Sequence, residues 1–180
     1  MDEIQPAKYR VYRMRWIQLW IYFFATCVNG MTTTTYVPIV RQTSFFFHIT
    51  TTQVNLLAVL FMFLYVVGAS MYMYCTRLLP LRWTMIIASL LQIGTLIRLV
   101  ALLDPEHGYS ALVVGQILPA LAAPFFLNST AFFAALWFPV SQRDVATAIG
   151  SMANPIGEYI TVFFDSKLKK RVMQRDFLFL

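Results

Sequence analysis

The sequence predicts an all-α membrane protein, a bundle of about five transmembrane helices, and three observations predict it. Long apolar stretches succeed one another from Trp16 to Phe164, broken only by short charged loops. Hydrophobic residues make up 59% of the 180 residues and charged residues 12%, against roughly 25% charged in an ordinary soluble domain. Lys and Arg are dense in every second loop and sparse in the others, as they are where successive loops lie on opposite sides of a bilayer.

A helix needs about 20 apolar residues to cross a hydrocarbon core about 30 Å thick. Five stretches meet that length: residues 16–40, 54–75, 83–103, 109–138 and 145–164. The first is too long for a signal-peptide core and ends in threonines rather than in a small-residue cleavage site, so it is expected to stay as a membrane helix. The fourth is charge-free, exceeds the crossing length and contains Pro119 and Pro124; it is expected to tilt and to bend, with a re-entrant pair of short helices as the alternative. The chain divides into an N-terminal segment (1–15), a transmembrane bundle (16–164) and a basic tail (165–180).

The loops orient the bundle. Lys8, Arg10, Arg13, Arg15, Arg77, Arg82 and Arg143 fall on one side, while the opposite loops hold Arg41, His48, Asp104, Glu106 and His107. Basic residues gather on cytoplasmic loops, which places the N-terminus in the cytoplasm of a multi-pass protein. The net charge of +6 thus reports topology and not a nucleic-acid partner. An odd number of spans would carry Lys167, Lys169, Lys170, Arg171 and Arg175 to the outer side, against this bias. The tail is therefore expected to be an atypical or truncated end of the bundle.

Enzyme chemistry finds little support. There is no Gly-rich phosphate loop, no HExxH and no pair of histidines at ligand spacing, so no catalytic residue, metal or cofactor is expected. Cys27 and Cys75 lie in apolar runs and read as small packing residues. Asn128-Ser129-Thr130 matches a glycosylation sequon, but the inner half of a membrane helix is out of a transferase's reach.

Polar side chains inside the spans carry more information, because each costs free energy in hydrocarbon unless a partner or a wet cavity receives it. Asn29, Thr33 and Tyr36 in the first span, Gln116 and Asn128 in the fourth and Asn154 in the fifth are the candidate substrate contacts. For the threonines a helix-packing seam, with each hydroxyl bonded to a carbonyl one turn back, is the competing role. Two ionisable groups lie within spans. At about 1.5 Å per residue Arg98 stands roughly 24 Å and Glu158 roughly 21 Å above the inner ends of their helices. Matched depth makes a structural or coupling ion pair between them the expectation, with snorkelling of Arg98 as the alternative.

The stretch GQILPALAAPFFLNSTAFFAALWFPVSQRDVATAIGSMANPIG, residues 115–157, resembles the N-terminal half of the feline leukaemia virus subgroup C receptor-related family of major facilitator transporters. Its distinctive parts are Gly115-Gln116, the proline and small-residue run with Asn128, ALWFP at 135–139, Gln142-Arg143, and Asn154 with Gly157. Val28-Asn29, Tyr36 with Pro38, and Leu81-Arg82 are similar to the same family, so that the likeness covers about residues 15–163. The resemblance implies a partial major-facilitator N-terminal bundle, five helices of a six-helix half, and a small organic solute such as choline, ethanolamine or haem as cargo. It also implies a missing C-terminal half, with which the cavity would be completed and the two halves would rock in alternation. Thr33 and Ala123 stand where the family has a tryptophan and a glutamine, which weakens the choline reading.

The function expected is secondary transport of a small organic solute by the N-terminal portion of such a transporter. The alternative is a truncated membrane protein that acts by pairing with a full-length transporter, or a non-functional fragment. No address in the N-terminal segment selects the plasma membrane or an internal one.

Overall fold

The computed structural model of the chain describes residues 12–101, 103 and 108–178. Lys8, Arg10, Asp104, Glu106 and His107 of the loop argument lie outside the described residues, as do the side chains of the basic tail beyond Lys167. Among the described residues every regular element is helical, in the order α1 (Arg15–Thr34), α2 (Val40–Phe46), α3 (Thr51–Leu78), α4 (Leu81–Ile93), a 3₁₀ turn (Gly94–Leu96), α5 (Ile97–Ala101), α6 (Gly108–Trp137) and α7 (Val140–Leu178).

Local sequence explains where the helices stop. The first span was expected to reach Val40, but α1 ends at Thr34 and a turn separates it from α2. Pro38 disfavours the helical conformation at Val37, and the β-branched Thr32 to Thr35 are weak helix formers beside it. His48 closes the turn after α2 with φ of 52°. Thr50 then opens α3 with a capping box: its hydroxyl accepts from the Gln53 N–H, while its own N–H donates to Gln53 Oε1 at 2.8 Å. The third span is α4, the 3₁₀ turn and α5 end to end.

The fourth span is one helix. Pro119 and Pro124 lie inside the 30-residue α6 without dividing it, so the re-entrant alternative is set aside. At about 1.5 Å per residue α6 is about 45 Å long, more than a bilayer core requires. By length and apolarity taken alone, α3 and α6 are the two described helices able to cross a membrane. The fifth span was drawn to end at Phe164; α7 continues as a helix to Leu178. Nothing in the sequence from Asp165 onward interrupts it, since Lys, Arg, Gln, Leu and Met are all good helix formers.

Assembly centres on α6, which packs against α1, α3, α4, α5 and α7. It buries Pro119, Ala120, Ala122, Ala123, Phe125 and Phe126 in the middle of the bundle. The most extensive helix contact is that of α1 with α7, and glycines permit it. A Cβ built on Gly157 would stand 2.1 Å from the Cys27 carbonyl oxygen, and one on Gly30 would stand 2.4 Å from that of Asn154. Neither distance is compatible with a side chain, the usual reason for small residues at membrane helix contacts.

Candidate functional site

The polar residues of the spans collect around a defect in α6. A proline has no N–H, so Pro119 leaves the carbonyl of Gly115, one turn back, without its helical partner. Arg98 fills the vacancy: its Nε donates to the Gly115 oxygen at 3.2 Å. A Cβ at Gly115 would lie 2.7 Å from Arg98 Cγ, so the glycine gives the arginine its place. The same guanidinium donates to Gln116 Oε1 and, at 3.4 Å, to the Thr32 carbonyl in the last turn of α1. Its Cζ stands 5.2 Å from the centre of the Tyr36 ring.

Arg98 is only 8% exposed. Among the described residues it has no carboxylate partner, yet the charge is not left bare. The C-terminal end of α1 carries partial negative charge, the proline-freed carbonyl of α6 adds a second acceptor, and the aromatic face a third attraction. Gln116 extends the network by donating from Nε2 to the Leu57 carbonyl of α3 at 3.4 Å. One arginine and one glutamine thereby join α1, α3, α5 and α6.

A second set lies beside the first. Asn29 is fully buried and donates from Nδ2 to Gln92 Oε1 at 2.7 Å and to the Pro119 carbonyl at 3.1 Å, while its Oδ1 has no partner. Gln92 in turn donates to Thr95 Oγ1 at 3.3 Å. The threonines of α1 mostly satisfy themselves: Thr32 and Thr33 bond the Asn29 carbonyl at 2.7 and 3.1 Å, and Thr35 bonds the Met31 carbonyl at 2.7 Å. This is the geometry of a packing seam.

Depth along the bundle did not determine direction around it. The expected pairing of Arg98 with Glu158 is not formed: Arg98 points between α1 and α6, whereas Glu158 accepts from Asn154 Nδ2 on its own helix at 2.9 Å. Asn154 lies half-buried over Gly30 with its Oδ1 unpartnered. Asn128 joins neither group; its side chain is exposed, and its backbone carbonyl accepts from the Tyr72 hydroxyl at 3.1 Å. The candidates thus fall into a buried set (Asn29, Tyr36, Gln116 and Arg98), a half-buried pair (Asn154 and Glu158), the half-buried Thr33 on its seam, and the outlying Asn128.

Sequence reasoning missed two participants. Gln92 stands alone in an apolar run and met the same test that singled out Asn29. Tyr22, almost fully buried, bonds the Phe126 carbonyl and shares a hydrogen bond of 2.7 Å with Thr130 Oγ1, tying the N-terminal half of α1 to the C-terminal half of α6.

A helical bundle of this apolarity, knit by polar side chains across its helices and with no strand among the described residues, is a multi-pass membrane protein. The family signature of the Major Facilitator Superfamily matches residues 22–166. The chain belongs to that superfamily of transporters. It is similar to solute carrier family 49 member A3 of Xenopus tropicalis, with 32% identity over 161 residues, covering 84% of this chain and 33% of the relative. The protein of the same name from Danio rerio is 34% identical over 155 residues, again covering 84% and 33%. An uncharacterized protein of Caenorhabditis elegans is 31% identical over 160 residues, covering 87% and 31%. These likenesses bear out the resemblance read from residues 115–157, since solute carrier family 49 holds the feline leukaemia virus subgroup C receptor-related transporters. The chain spans about a third of the length of the curated relatives it matches.

Proposed function

We propose that residues 16–164 form the first five helices of the N-terminal half of a secondary transporter for a small organic solute, with residues 1–15 and 165–180 flanking them. The N-terminus lies in the cytoplasm on this reading, supported by the arginines at 13, 15, 77, 82 and 143. The cargo is small and organic, in the class of choline, ethanolamine or haem, and further helices of the kind the longer relatives possess complete the cavity. Selectivity comes from hydrogen bonds and shape, and translocation from rocking of one rigid half against the other.

The observation that carries the reading is the division of labour among the polar residues. Gln116 and Arg98, with the amide nitrogen of Asn29, spend their hydrogen bonds on neighbouring helices and make the half rigid. Asn154 and Glu158 retain free acceptors, and Glu158 has no ion pair among the described residues. A half-buried carboxylate at membrane depth favours a cationic group on the solute or a coupled cation.

The test is uptake by proteoliposomes containing the product of the longest open reading frame at the locus, offered radiolabelled choline, ethanolamine and haem in turn. Accumulation of one of them is expected, with Glu158→Gln lowering the initial rate about tenfold or more. Uptake no greater than that of empty vesicles for all three would sink the proposal.

A further inference from the structure

One face of α7 carries a polar stripe that the network around Arg98 does not use. Asn154, Glu158, Thr161 and Asp165 follow one another at intervals of four, three and four residues. At about 100° per residue they fall within a sector of about 60°, and the rise from the first to the last is about 16 Å. Apart from Tyr159, every other residue from 152 to 164 is apolar. The stripe therefore runs from the Asn154–Glu158 pair to the end of the fifth span.

What it offers is oxygen acceptors. Asn154 Oδ1 and Asp165 Oδ2 are buried without a partner, and neither carboxylate has an ion pair among the described residues. Thr161 directs its hydroxyl proton at the Met31 and Gly157 carbonyls, at 3.3 and 3.2 Å, which leaves the lone pairs of its oxygen as acceptors. One turn beyond the Thr161–Met31 contact, α7 carries Asp165 and α1 carries Thr34, whose Oγ1 is likewise buried without a partner. Helix α1 ends at Thr34, so the partial negative charge of its last turn falls at the same level.

These features select a small cation. Asn154 Oδ1, Thr34 Oγ1 and Asp165 Oδ2 are closed off by the chain's own atoms, so a further helix laid on the bundle could not bring a side-chain donor to them. A bare metal ion is smaller than a water molecule, and hard cations take oxygen ligands. Glu158 and Asp165 stand about 10 Å apart along the helix, so each level supplies a single negative charge. A monovalent ion neutralises it, whereas a divalent ion would leave net charge at membrane depth.

We propose that the stripe is a path for sodium, which enters between Asp165 and Thr34 at the end away from the arginine-rich loops and is held at Asn154 and Glu158. The inference rests on the reading of that pair as the place where a cation acts, and adds to it the ion and its route.

The test is binding of radioactive sodium to the detergent-purified chain, followed by scintillation proximity. Saturable binding is expected, displaced by unlabelled sodium and not by choline. Glu158→Gln should weaken it about tenfold, the loss of one charged oxygen ligand. Asp165→Asn should slow the arrival of label more than it lowers the amount bound at equilibrium, as loss of a charge at an entrance does. Asp144→Asn, an exposed carboxylate of α7 off the stripe, should change neither. Absence of saturable binding by the unaltered chain overturns the proposal. So do equal effects of Asp144→Asn and Glu158→Gln, an unaltered rate in Asp165→Asn, or displacement by choline as effective as by sodium. Solute uptake that proceeds equally in sodium-free vesicles would leave the transport reading standing and remove the sodium path alone.

Discussion

Whether Arg98 stands in for the N–H that Pro119 removes can be measured as a coupling energy. Arg98→Leu strips three buried acceptors, the Gly115 and Thr32 carbonyls and Gln116 Oε1, of their charged donor. An unpaired buried acceptor costs about 1–3 kcal/mol, and release of the guanidinium from its buried position returns part of that. The net cost of the single substitution is thus a difference of similar terms, about 1–3 kcal/mol. The difference between backgrounds is cleaner. Pro119→Ala restores an N–H to α6 one turn beyond Gly115, so in that background the Gly115 carbonyl keeps a partner when Arg98 is lost. Arg98→Leu should therefore cost about 1 kcal/mol less in the Pro119→Ala background than in the original, in line with membrane hydrogen bonds measured by double-mutant cycles. The assay is reversible unfolding in mixed micelles, followed by helix circular dichroism as the fraction of denaturing detergent rises, for the four proteins of the cycle. Additive effects, within about 0.3 kcal/mol, would refute the argument that the arginine serves a proline-freed carbonyl.

Other consequences follow from the same geometry. Gly157→Val should destabilise the bundle by about 3 kcal/mol or more, because its side chain must displace the Cys27 backbone, and the shift is read in the same detergent titration. Asp165, just past the fifth span, has its carboxyl pushed above the usual aspartate range by burial, and its Oδ2 has no partner. A carboxyl that is harder to ionise when folded favours the folded state below its unfolded pKa. That advantage is lost as pH rises through the raised folded value. Asp165→Asn should therefore flatten the fall in thermal midpoint between acidic and neutral pH, and an unchanged slope would count against the burial.

The five apolar runs were legible because bilayer thickness is a length that composition alone can match, and the helices follow them closely. Their ends were less so. Residues 35–40 are as apolar as the span they follow, and only the backbone restriction before Pro38 separates them. The capping box at Thr50 and Gln53 was readable, a T-x-x-Q ahead of an apolar run. The polar residues were legible as a set but not as partners. Rise per residue gives height, so the levels of Arg98 and Glu158 could be compared. The direction each faces depends on how α5 and α7 are rotated against α1, which is set by glycine contacts distant in sequence. Gln92 went unnoticed for a related reason, since only the approach of Asn29 on another helix gives it a role.

The defects of α6 also explain how one bundle can be both rigid and polar at its centre. A proline in a membrane helix exposes a carbonyl that lipid cannot satisfy, so some neighbour must supply a donor. Here the donor comes from α5, and the carbonyl of Pro119 itself receives Asn29 from α1. Each contact joins α6 to a different helix, so loosening one helix would unpair a polar group at the site another depends on. Rocking of a transporter half needs this property, because a half that deformed internally would not transmit motion from the membrane midplane to its ends. The same reasoning separates the candidates by function. On the reading proposed above, Gln116 and Arg98, whose donors and acceptors are consumed inside the bundle, cannot also bind cargo without breaking it, and the proposed solute contacts are Asn154 and Glu158 at the edge of the α1–α7 contact.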